Sequence, residues 1–475
     1  SPTHSWSRGE SENGITTAYV MCVFAWCLYK CFIYVIYYNY FVVKTSLQLI
    51  IIEMRKIVKV FYVSLGCDKN LVDSEKMLGM LHEAHYELTD NEYEADIIIV
   101  NTCAFIGDAK EESINNIIEM GKLKETGKCR KLIVTGCLAQ RYKEEIKKEL
   151  PEVDMVFGMS DYKPDIIKAK RIVTTGGHYA HLKIAEGCDK YCTYCIIPML
   201  RGHYRSYPME DLVKEAEALV EGGVKELVLV AQETTLYGVD LYGKKMLHEL
   251  LRKLCRINGL RWIRIMYCYP EEIYDELIQV MKEEPKICHY LDIPIQHASD
   301  SILKRMNRKT NRAELTERIA KLREEIPDIA LRTSLIAGFP GETEEDHEEL
   351  MEFIDEIEFT RLGVFTYSAE EGTKAAEMDG QVQEEVKEER RDRLMELQQE
   401  ISSDLSQSQI GKVMTVMIEG KVADENAYVG RTYMDAPNVD GYIFVNTDEE
   451  LMSGDFCKVK VTGALEYDLI GELVQ

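Results

Sequence analysis

The chain has 475 residues, which is enough for two to four domains, and its 46% hydrophobic and 29% charged residues are typical of a globular protein. It contains 57 Lys and Arg against 82 Asp and Glu, a formal net charge of −25. This excess of acidic groups argues against unassisted binding to nucleic acid and is compatible with a basic protein partner. Fourteen cysteines in a chain of this length do not indicate a secreted disulfide framework and favour a cytoplasmic location.

The first 53 residues differ in composition from the rest. Residues 18–43 are rich in aromatic and β-branched side chains, but Lys30 interrupts them, and a Lys at the centre of a membrane span costs about 2.5–3.5 kcal/mol. A regular strand pattern begins only after Met54. We therefore expect residues 1–53 to be translated upstream sequence outside the domains rather than a membrane anchor, and we expect three of their cysteines not to bind metal: Cys22, Cys27 and Cys31.

From Ile57 onward, apolar runs of strand length alternate with amphipathic helical segments, which predicts an α/β domain with a parallel sheet over residues 56–170. Three of its predicted strands are each followed by a cysteine: Cys67, Cys103 and Cys137. Because the carboxyl ends of parallel strands converge on one crevice, these thiols can meet and form a metal centre. The alternative for each is a buried cysteine that acts as a small hydrophobe.

A second set of cysteines, Cys188, Cys192 and Cys195, forms a CxxxCxxC motif after an apolar strand predicted at residues 179–185. Three thiolates leave the fourth iron of a 4Fe-4S cluster without a protein ligand, whereas most electron-transfer clusters have four cysteines. We expect S-adenosylmethionine to occupy that iron and to yield a 5′-deoxyadenosyl radical on reduction. A zinc knuckle is the alternative, but it usually needs four ligands. The first set is predicted to hold a second 4Fe-4S cluster.

Residues 171–178 are predicted to form a linker. Six predicted strands that alternate with helices follow, and this pattern predicts a partial (β/α)6 barrel over residues 178–406. A charged helix predicted at residues 384–402 is expected to be an exposed spacer. The last segment, residues 410–475, has four predicted short strands separated by turn residues and should form a small β-barrel. From Ile410 it carries 5 basic and 12 acidic residues, a net charge of −7, which disfavours contact with RNA.

Four residues are predicted to contact the cofactor: Tyr194, Gln232, Gln296 and Gly338. Tyr194 could contact the adenine or simply pack, and His297, next to Gln296, is more often a packed residue than a catalyst. At Gly338, a Gly-Pro-Gly turn could bring backbone close to the adenosyl group. The same turn could instead lead into a helix capped by Thr343 and Asp346. We expect no catalytic residues beyond the cluster ligands.

The three predicted domains together resemble the methylthiotransferases, radical-SAM enzymes that have two 4Fe-4S clusters and a C-terminal TRAM domain. The resemblance covers residues 56–475. Within that family, residues 64–75 (SLGCDKNLVDSE) and 231–243 (AQETTLYGVDLYG) resemble the enzymes that modify a ribosomal protein, rather than those that modify tRNA. Asp68, Glu233 and Tyr207 depart from the pattern, standing where the family usually has Pro, Asp and Arg.

The resemblance implies transfer of a methylthio group to the β-carbon of an aspartate in ribosomal protein S12. This substrate would be modified either as the free protein or as part of the ribosomal small subunit. It implies S-adenosylmethionine and two 4Fe-4S clusters as cofactors, the second cluster carrying the sulfur, and an electron donor such as flavodoxin or ferredoxin. Neither a nucleic acid substrate nor a membrane is expected. The alternatives are methylthiolation of tRNA adenosine and a non-catalytic iron–sulfur electron carrier.

Overall fold

The computed structural model describes residues 58–161, 169–423 and 425–474; the predicted extension at residues 1–53 lies outside them. The first domain is built on a parallel sheet in the order β2-β1-β3-β4-β5. Its strands are β1 (Lys59–Ser64), β2 (Glu87–Leu88), β3 (Ile97–Thr102), β4 (Lys131–Gly136) and β5 (Met155–Phe157). The strands β2 and β5 were not predicted, because two and three residues are too few to show a periodic pattern.

Four helices connect the strands of this sheet: α1 (Asp68–Glu83), α2 (Gly107–Thr126), α3 (Cys137–Arg141) and α4 (Lys143–Glu149). Ile98, Val100, Leu132 and Val134, on the central strands, have no exposed surface, and they pack against buried positions of the helices such as Ile117. Burial of this apolar face fixes the register of β3 and β4.

The second domain contains the predicted six parallel strands, in the order β6-β9-β10-β11-β12-β13. They are β6 (Tyr179–Lys183), β9 (Glu226–Val230), β10 (Trp262–Ile265), β11 (Ile287–Asp292), β12 (Ala330–Ala337) and β13 (Arg361–Thr366); a short antiparallel pair, β7 (Ala185–Glu186) and β8 (Arg205–Ser206), lies beside them. The partial-barrel prediction is confirmed.

The helices of the second domain are α5 (Ile197–Arg201), α6 (Met209–Glu221), α7 (Val239–Tyr242), α8 (Leu247–Cys255), α9 (Asp275–Glu283), α10 (Asp300–Arg305), α11 (Arg312–Glu325), α12 (Glu344–Ile357) and α13 (Glu384–Gln407). Buried apolar residues of seven of these helices form one core with the strands, whereas Leu200 of α5 packs in the core of the first domain and α7 has no buried residue. Within the part of the chain that the structure describes, none of the helices is both long and apolar enough to cross a membrane.

The prediction that α13 is an exposed spacer is wrong. Leu394 and Gln398 are fully buried, and Ile401 is almost so. The ammonium of Lys387 donates to the carbonyl of Tyr367 at 2.9 Å, and the amide of Gln398 donates to the carbonyl of Phe359, also at 2.9 Å. The helix therefore covers the end of the barrel that contains β12 and β13. Its composition concealed this contact because long polar side chains bury their stems while their polar ends find partners.

The third domain is a closed barrel in the order β14-β15-β16-β18-β17. Its strands are β14 (Val413–Lys421), β15 (Ala427–Arg431), β16 (Ile443–Asn446), β17 (Phe456–Ala464) and β18 (Leu469–Leu473). Four of them were predicted, and β18 was missed. Only the β16–β18 pair is parallel, and this fifth strand closes the barrel, so that no sheet edge is left unpaired.

The C-terminal barrel packs against the amino ends of the strands of the second domain. Trp262, at the start of β10, makes an edge-to-face contact with Phe456, with ring centroids 4.9 Å apart. The hydroxyl of Tyr290 donates to Asp440 at 2.7 Å, and Arg361 pairs with Asp435. The C-terminal barrel therefore does not cover the carboxyl ends of the strands, where catalytic loops of β/α barrels usually lie.

The capping interpretation of the turn after Gly338 is confirmed. Thr343 Oγ1 accepts from the Asp346 amide at 3.2 Å, and Asp346 Oδ2 accepts from the Thr343 amide at 2.9 Å, so the two residues form a capping box at the start of α12.

Thr343→Ala should lower the free energy of unfolding by about 1 kcal/mol in a denaturant titration. Glu349→Ala, at an exposed position of the same helix, should change it by less than about 0.5 kcal/mol. An equal effect of both substitutions would contradict the prediction.

Candidate active site

The three cysteines of the first set, Cys67, Cys103 and Cys137, lie side by side at the carboxyl edge of the first sheet. Cys67 follows β1 and is the N-cap of α1, Cys103 follows β3, and Cys137 follows β4 and begins α3. These strands are adjacent, with Ser64 opposite Asn101 and Thr102 opposite Gly136. Burial, followed by the nearby Cys137 and Cys67, raises the pKa of the Cys103 thiol to about 11. The structure thus brings the first predicted set of cysteines together.

A set of buried polar contacts fixes the loops that carry these cysteines. The amide of Asn70 donates to the carbonyls of Leu65 and Thr102, each at 2.9 Å. Ser113 accepts from the amide of Cys103 at 3.0 Å and donates to its carbonyl at 2.9 Å. At Gly66, φ is +90°, and a Cβ atom would lie 2.8 Å from that of Cys103, so only glycine permits this close approach.

The CxxxCxxC loop lies between β7 and α5 and is anchored to neighbouring segments through its backbone. The amide of Cys188 donates to the carbonyl of Gly202 at 3.1 Å, and that of Thr193 donates to the carbonyl of Met306, also at 3.1 Å. Cys188 and Cys192 are buried, and Cys195 is partly so. Burial, with a contribution from Cys192, raises the pKa of the Cys188 thiol to about 11.

Every cysteine in the described residues is a free thiol. Among these same residues, no three His, Cys, Asp or Glu side chains are arranged to hold a single metal ion. A 4Fe-4S cluster requires a different arrangement, because each cysteine binds a different iron. Two sets of three thiols, one at the carboxyl ends of parallel strands and one in a single loop, are a donor set that fits such clusters.

A cavity of about 180 Å³ lies beside the CxxxCxxC loop and is lined by Cys188, Lys190, Tyr204 and Glu233, among others. Glu233 is fully buried, and its Oε1 accepts from the amide of Thr235 at 2.9 Å. Its Oε2 has no hydrogen-bond partner among the described residues. Burial raises the pKa of this carboxyl to about 7. The sequence prediction passed over Glu233 as a binding residue, although its position just after the β9 strand could have suggested it.

A buried guanidinium lies near the same loop. Arg308 lies over the ring of Tyr269, 4.2 Å from its centroid, and the hydroxyl of Tyr269 is 3.5 Å from the sulfur of Cys192. Arg308 Nη2 donates to the carbonyl of Pro294 at 3.0 Å, whereas its Nε and Nη1 have no hydrogen-bond partner among the described residues. Glu233 and Arg308 thus provide one acceptor and two donors that a bound ligand can satisfy.

Three of the four residues predicted to contact the cofactor, Gln232, Gln296 and Tyr194, make different contacts within the protein. Gln232 accepts from the amide of Gly187 at 2.9 Å and donates to Glu186 at 3.1 Å, so it holds the turn that leads into the CxxxCxxC loop. Gln296 lies at the carboxyl end of the barrel with φ +71°, and its backbone bonds to β12. Tyr194 packs edge-to-face on Phe339, with ring centroids 6.4 Å apart.

Gly338 and His297 both have contacts within the protein. At Gly338, φ is +73°, and a Cβ atom would lie 2.2 Å from Cγ of Lys387, so the packing of α13 itself requires glycine there. His297 is fully buried, and its Nδ1 accepts from the amide of Ser299 at 3.0 Å. His297 is therefore packed within the domain, as such residues more often are.

Arg201 links the two sets of cysteines. Its Nη2 donates to Asn70 Oδ1 at 2.6 Å and to the sulfur of Cys137 at 3.4 Å, while its Nη1 donates to Asp73 at 2.9 Å and to Glu186 at 3.1 Å. Glu186 in turn accepts from Gln232, which holds Gly187 next to Cys188. A continuous chain of hydrogen bonds therefore connects Cys137 of the first domain with the CxxxCxxC loop.

Comparison with known families assigns a class to each domain. Residues 59–158 match the model described as uncharacterized protein family UPF0004, residues 182–354 match the radical SAM superfamily, and residues 410–474 match the TRAM domain. The chain is therefore a radical-SAM enzyme with a TRAM domain, and this class implies S-adenosylmethionine and a 4Fe-4S cluster as cofactors.

Sequence identity to individual relatives shows which family of radical-SAM enzymes the chain belongs to. The ribosomal protein uS12 methylthiotransferase RimO of Lachnoclostridium phytofermentans is 63% identical over 436 residues, which cover 87% of this chain and 99% of the relative. The proteins of that name from Pelotomaculum thermopropionicum and Clostridium botulinum (strain Langeland) are 52% and 51% identical, each over 88% of this chain and 99% and 98% of the relative. The chain belongs to the RimO family of radical-SAM methylthiotransferases.

Proposed function

We propose that this protein transfers a methylthio group to the β-carbon of an aspartate in ribosomal protein uS12. The observation that carries the proposal is the pair of cysteine sets joined through Arg201, in a chain of the RimO family. Two adjacent clusters suit a reaction in which one site removes a hydrogen and the other delivers sulfur to the same carbon.

In this proposal, Cys188, Cys192 and Cys195 hold the first 4Fe-4S cluster, and Cys67, Cys103 and Cys137 hold the second. When bound, the clusters and S-adenosylmethionine supply hydrogen abstraction and the sulfur and methyl groups that replace the hydrogen. The protein must exclude water and fix the relative positions of the two sites. The buried contacts of Arg201 with Asp73 and Glu186 serve that purpose.

S-adenosylmethionine carries an ammonium and a carboxylate on its methionine part, and we propose one protein partner for each. The unpartnered Oε2 of Glu233 accepts from the ammonium, and the free donors of Arg308 bind the carboxylate. Gln232 acts through Gly187, by positioning the loop. Tyr194, Gln296 and Gly338 stay candidates for the adenosyl part, since they lie in the CxxxCxxC loop or at the carboxyl ends of strands.

A basic protein substrate agrees with the charge of the chain. The protein has a net charge of −25 and its C-terminal barrel has −7, so a phosphate backbone would be repelled and a ribosomal protein attracted. We propose uS12, free or on the small subunit, as the partner. The reductive step needs an electron donor such as flavodoxin or ferredoxin.

The test is anaerobic incubation of the reconstituted enzyme with S-adenosylmethionine, sulfide and dithionite, together with uS12 and unmodified tRNA. Mass spectrometry should show one methylthio group on an aspartate of uS12 and no change in the tRNA nucleosides. Methylthiolated adenosine in tRNA with unmodified uS12 would overturn the proposal. Absence of 5′-deoxyadenosine would instead indicate an electron carrier.

A further inference from the structure

Lys69 is a buried cation two residues after Cys67, in the first turn of α1. Only 7% of its surface is exposed. Its Nζ lies 3.2 Å from the ring centroid of Tyr267, which is a cation–π contact. Within the residues that the structure describes, this ammonium makes no hydrogen bond and no ion pair with a carboxylate.

Other buried or partly buried cations around the two cysteine sets already have acidic partners. Lys183 and Arg201 both pair with Asp73 and Glu186. Arg332 pairs with Asp292 at 2.7 Å and with Asp440 at 3.3 Å, and Lys76 pairs with Glu215 at 2.9 Å. Lys69 differs from them because, among the described residues, no carboxylate lies within ion-pair distance of its ammonium, and a buried charge without such a partner is costly unless a ligand supplies one.

The nearest acidic neighbour in the chain, Asp68, has other partners. Its Oδ2 accepts from the hydroxyl of Tyr267 at 2.9 Å, and its Oδ1 lies 3.6 Å from Nε2 of His181. The Asp68 carboxylate thus contacts Tyr267 and His181, and it makes no ion pair with Lys69.

Lys69 lies beside the carboxyl end of the barrel in the second domain. Tyr267 follows β10 at the carboxyl end of the barrel, where φ is +61° and its amide donates to Asp292, the last residue of β11, at 3.0 Å. Lys69 lies over this ring and is two residues after Cys67. The ammonium therefore lies between the first sheet and the mouth of the barrel.

We propose that Lys69 binds the side-chain carboxylate of the substrate aspartate. This inference rests on the function proposed above. The β-carbon of an aspartate is bonded to its side-chain carboxylate carbon. An ion pair between that carboxylate and Lys69 therefore holds the reacting carbon one bond from the paired group. It also selects aspartate, because an asparagine would leave the ammonium without its counter-ion.

The test compares peptides that span the modified aspartate of uS12 and differ only by Asp or Asn at that position. The reconstituted wild-type enzyme should bind the Asp peptide about 10- to 100-fold more tightly, as measured by fluorescence anisotropy. Lys69→Met should remove this preference without loss of iron, and Lys69→Arg should keep most of it. Lys122→Met, which removes an exposed lysine of α2, should behave as wild type.

Three outcomes would overturn the inference. The first is equal binding of the Asp and Asn peptides by the wild-type enzyme, an outcome that does not depend on whether any variant folds. Another is a Lys69→Met protein with an unchanged Asp preference, and a third is loss of iron in that variant, which would assign Lys69 to support of the second cluster. Failure of the proposed function would appear differently, as wild-type enzyme that leaves uS12 unmodified.

Discussion

Replacing Cys188, Cys192 and Cys195 together by Ala is expected to abolish cleavage of S-adenosylmethionine and to halve the iron content. If each set of cysteines holds one 4Fe-4S cluster, the wild-type protein should contain about eight iron and eight sulfide after anaerobic reconstitution, and the variant about four of each. Iron and sulfide assays, with chromatography for 5′-deoxyadenosine, give both readouts.

The complementary triple variant separates the two roles. Replacing Cys67, Cys103 and Cys137 by Ala should also halve the iron, but it should leave cleavage of S-adenosylmethionine and abolish methylthio transfer. Cys129→Ala is the matched control, because Cys129 is buried in the same domain and belongs to neither set. A wild-type protein with only about four iron, or a triple variant that keeps full iron, would contradict the two-cluster proposal.

Glu226→Gln is expected to lower the free energy of unfolding by about 3–5 kcal/mol, because it leaves two buried guanidinium groups without their shared counter-ion. Glu226 begins β9 and is fully buried. It accepts from Arg264 Nε at 2.8 Å and from Arg431 Nη2 at 2.6 Å, and Arg431 belongs to the C-terminal barrel. Denaturant titration should show the loss, whereas Glu221→Gln at an exposed position should have little effect.

The same carboxylate should make the wild-type protein sensitive to acid. Burial opposes its ionisation, but Arg431 and Arg264 outweigh burial and lower the pKa of Glu226 from 4.5 to about 2. A group with a lowered folded-state pKa stabilises the fold above its ordinary pKa, and this stabilisation is lost as the pH falls from about 4.5 towards 2. The Glu226→Gln variant should lose less stability over that interval, and parallel losses would contradict this assignment.

Local patterns in the sequence determined the elements and the cysteine sets. The alternation of apolar and amphipathic segments predicted the six barrel strands, and the position of Cys67, Cys103 and Cys137 after parallel strands brought them to one edge of a sheet. The CxxxCxxC spacing defined the second set without any knowledge of the fold. These inferences succeed because strand periodicity and ligand spacing are properties of a few neighbouring residues.

Contacts between distant residues could be seen only in the tertiary structure. Arg201 and Cys137 are 64 residues apart, and nothing near either predicts their hydrogen bond. Composition made α13 look solvated, although packing buries one of its faces, and β18 was found only as the strand that closes the barrel. Lys69 is an ordinary lysine in the sequence. Among the described residues, no carboxylate lies within ion-pair distance of its ammonium, and this depends on which other charges the fold has already paired, a property of the packed structure.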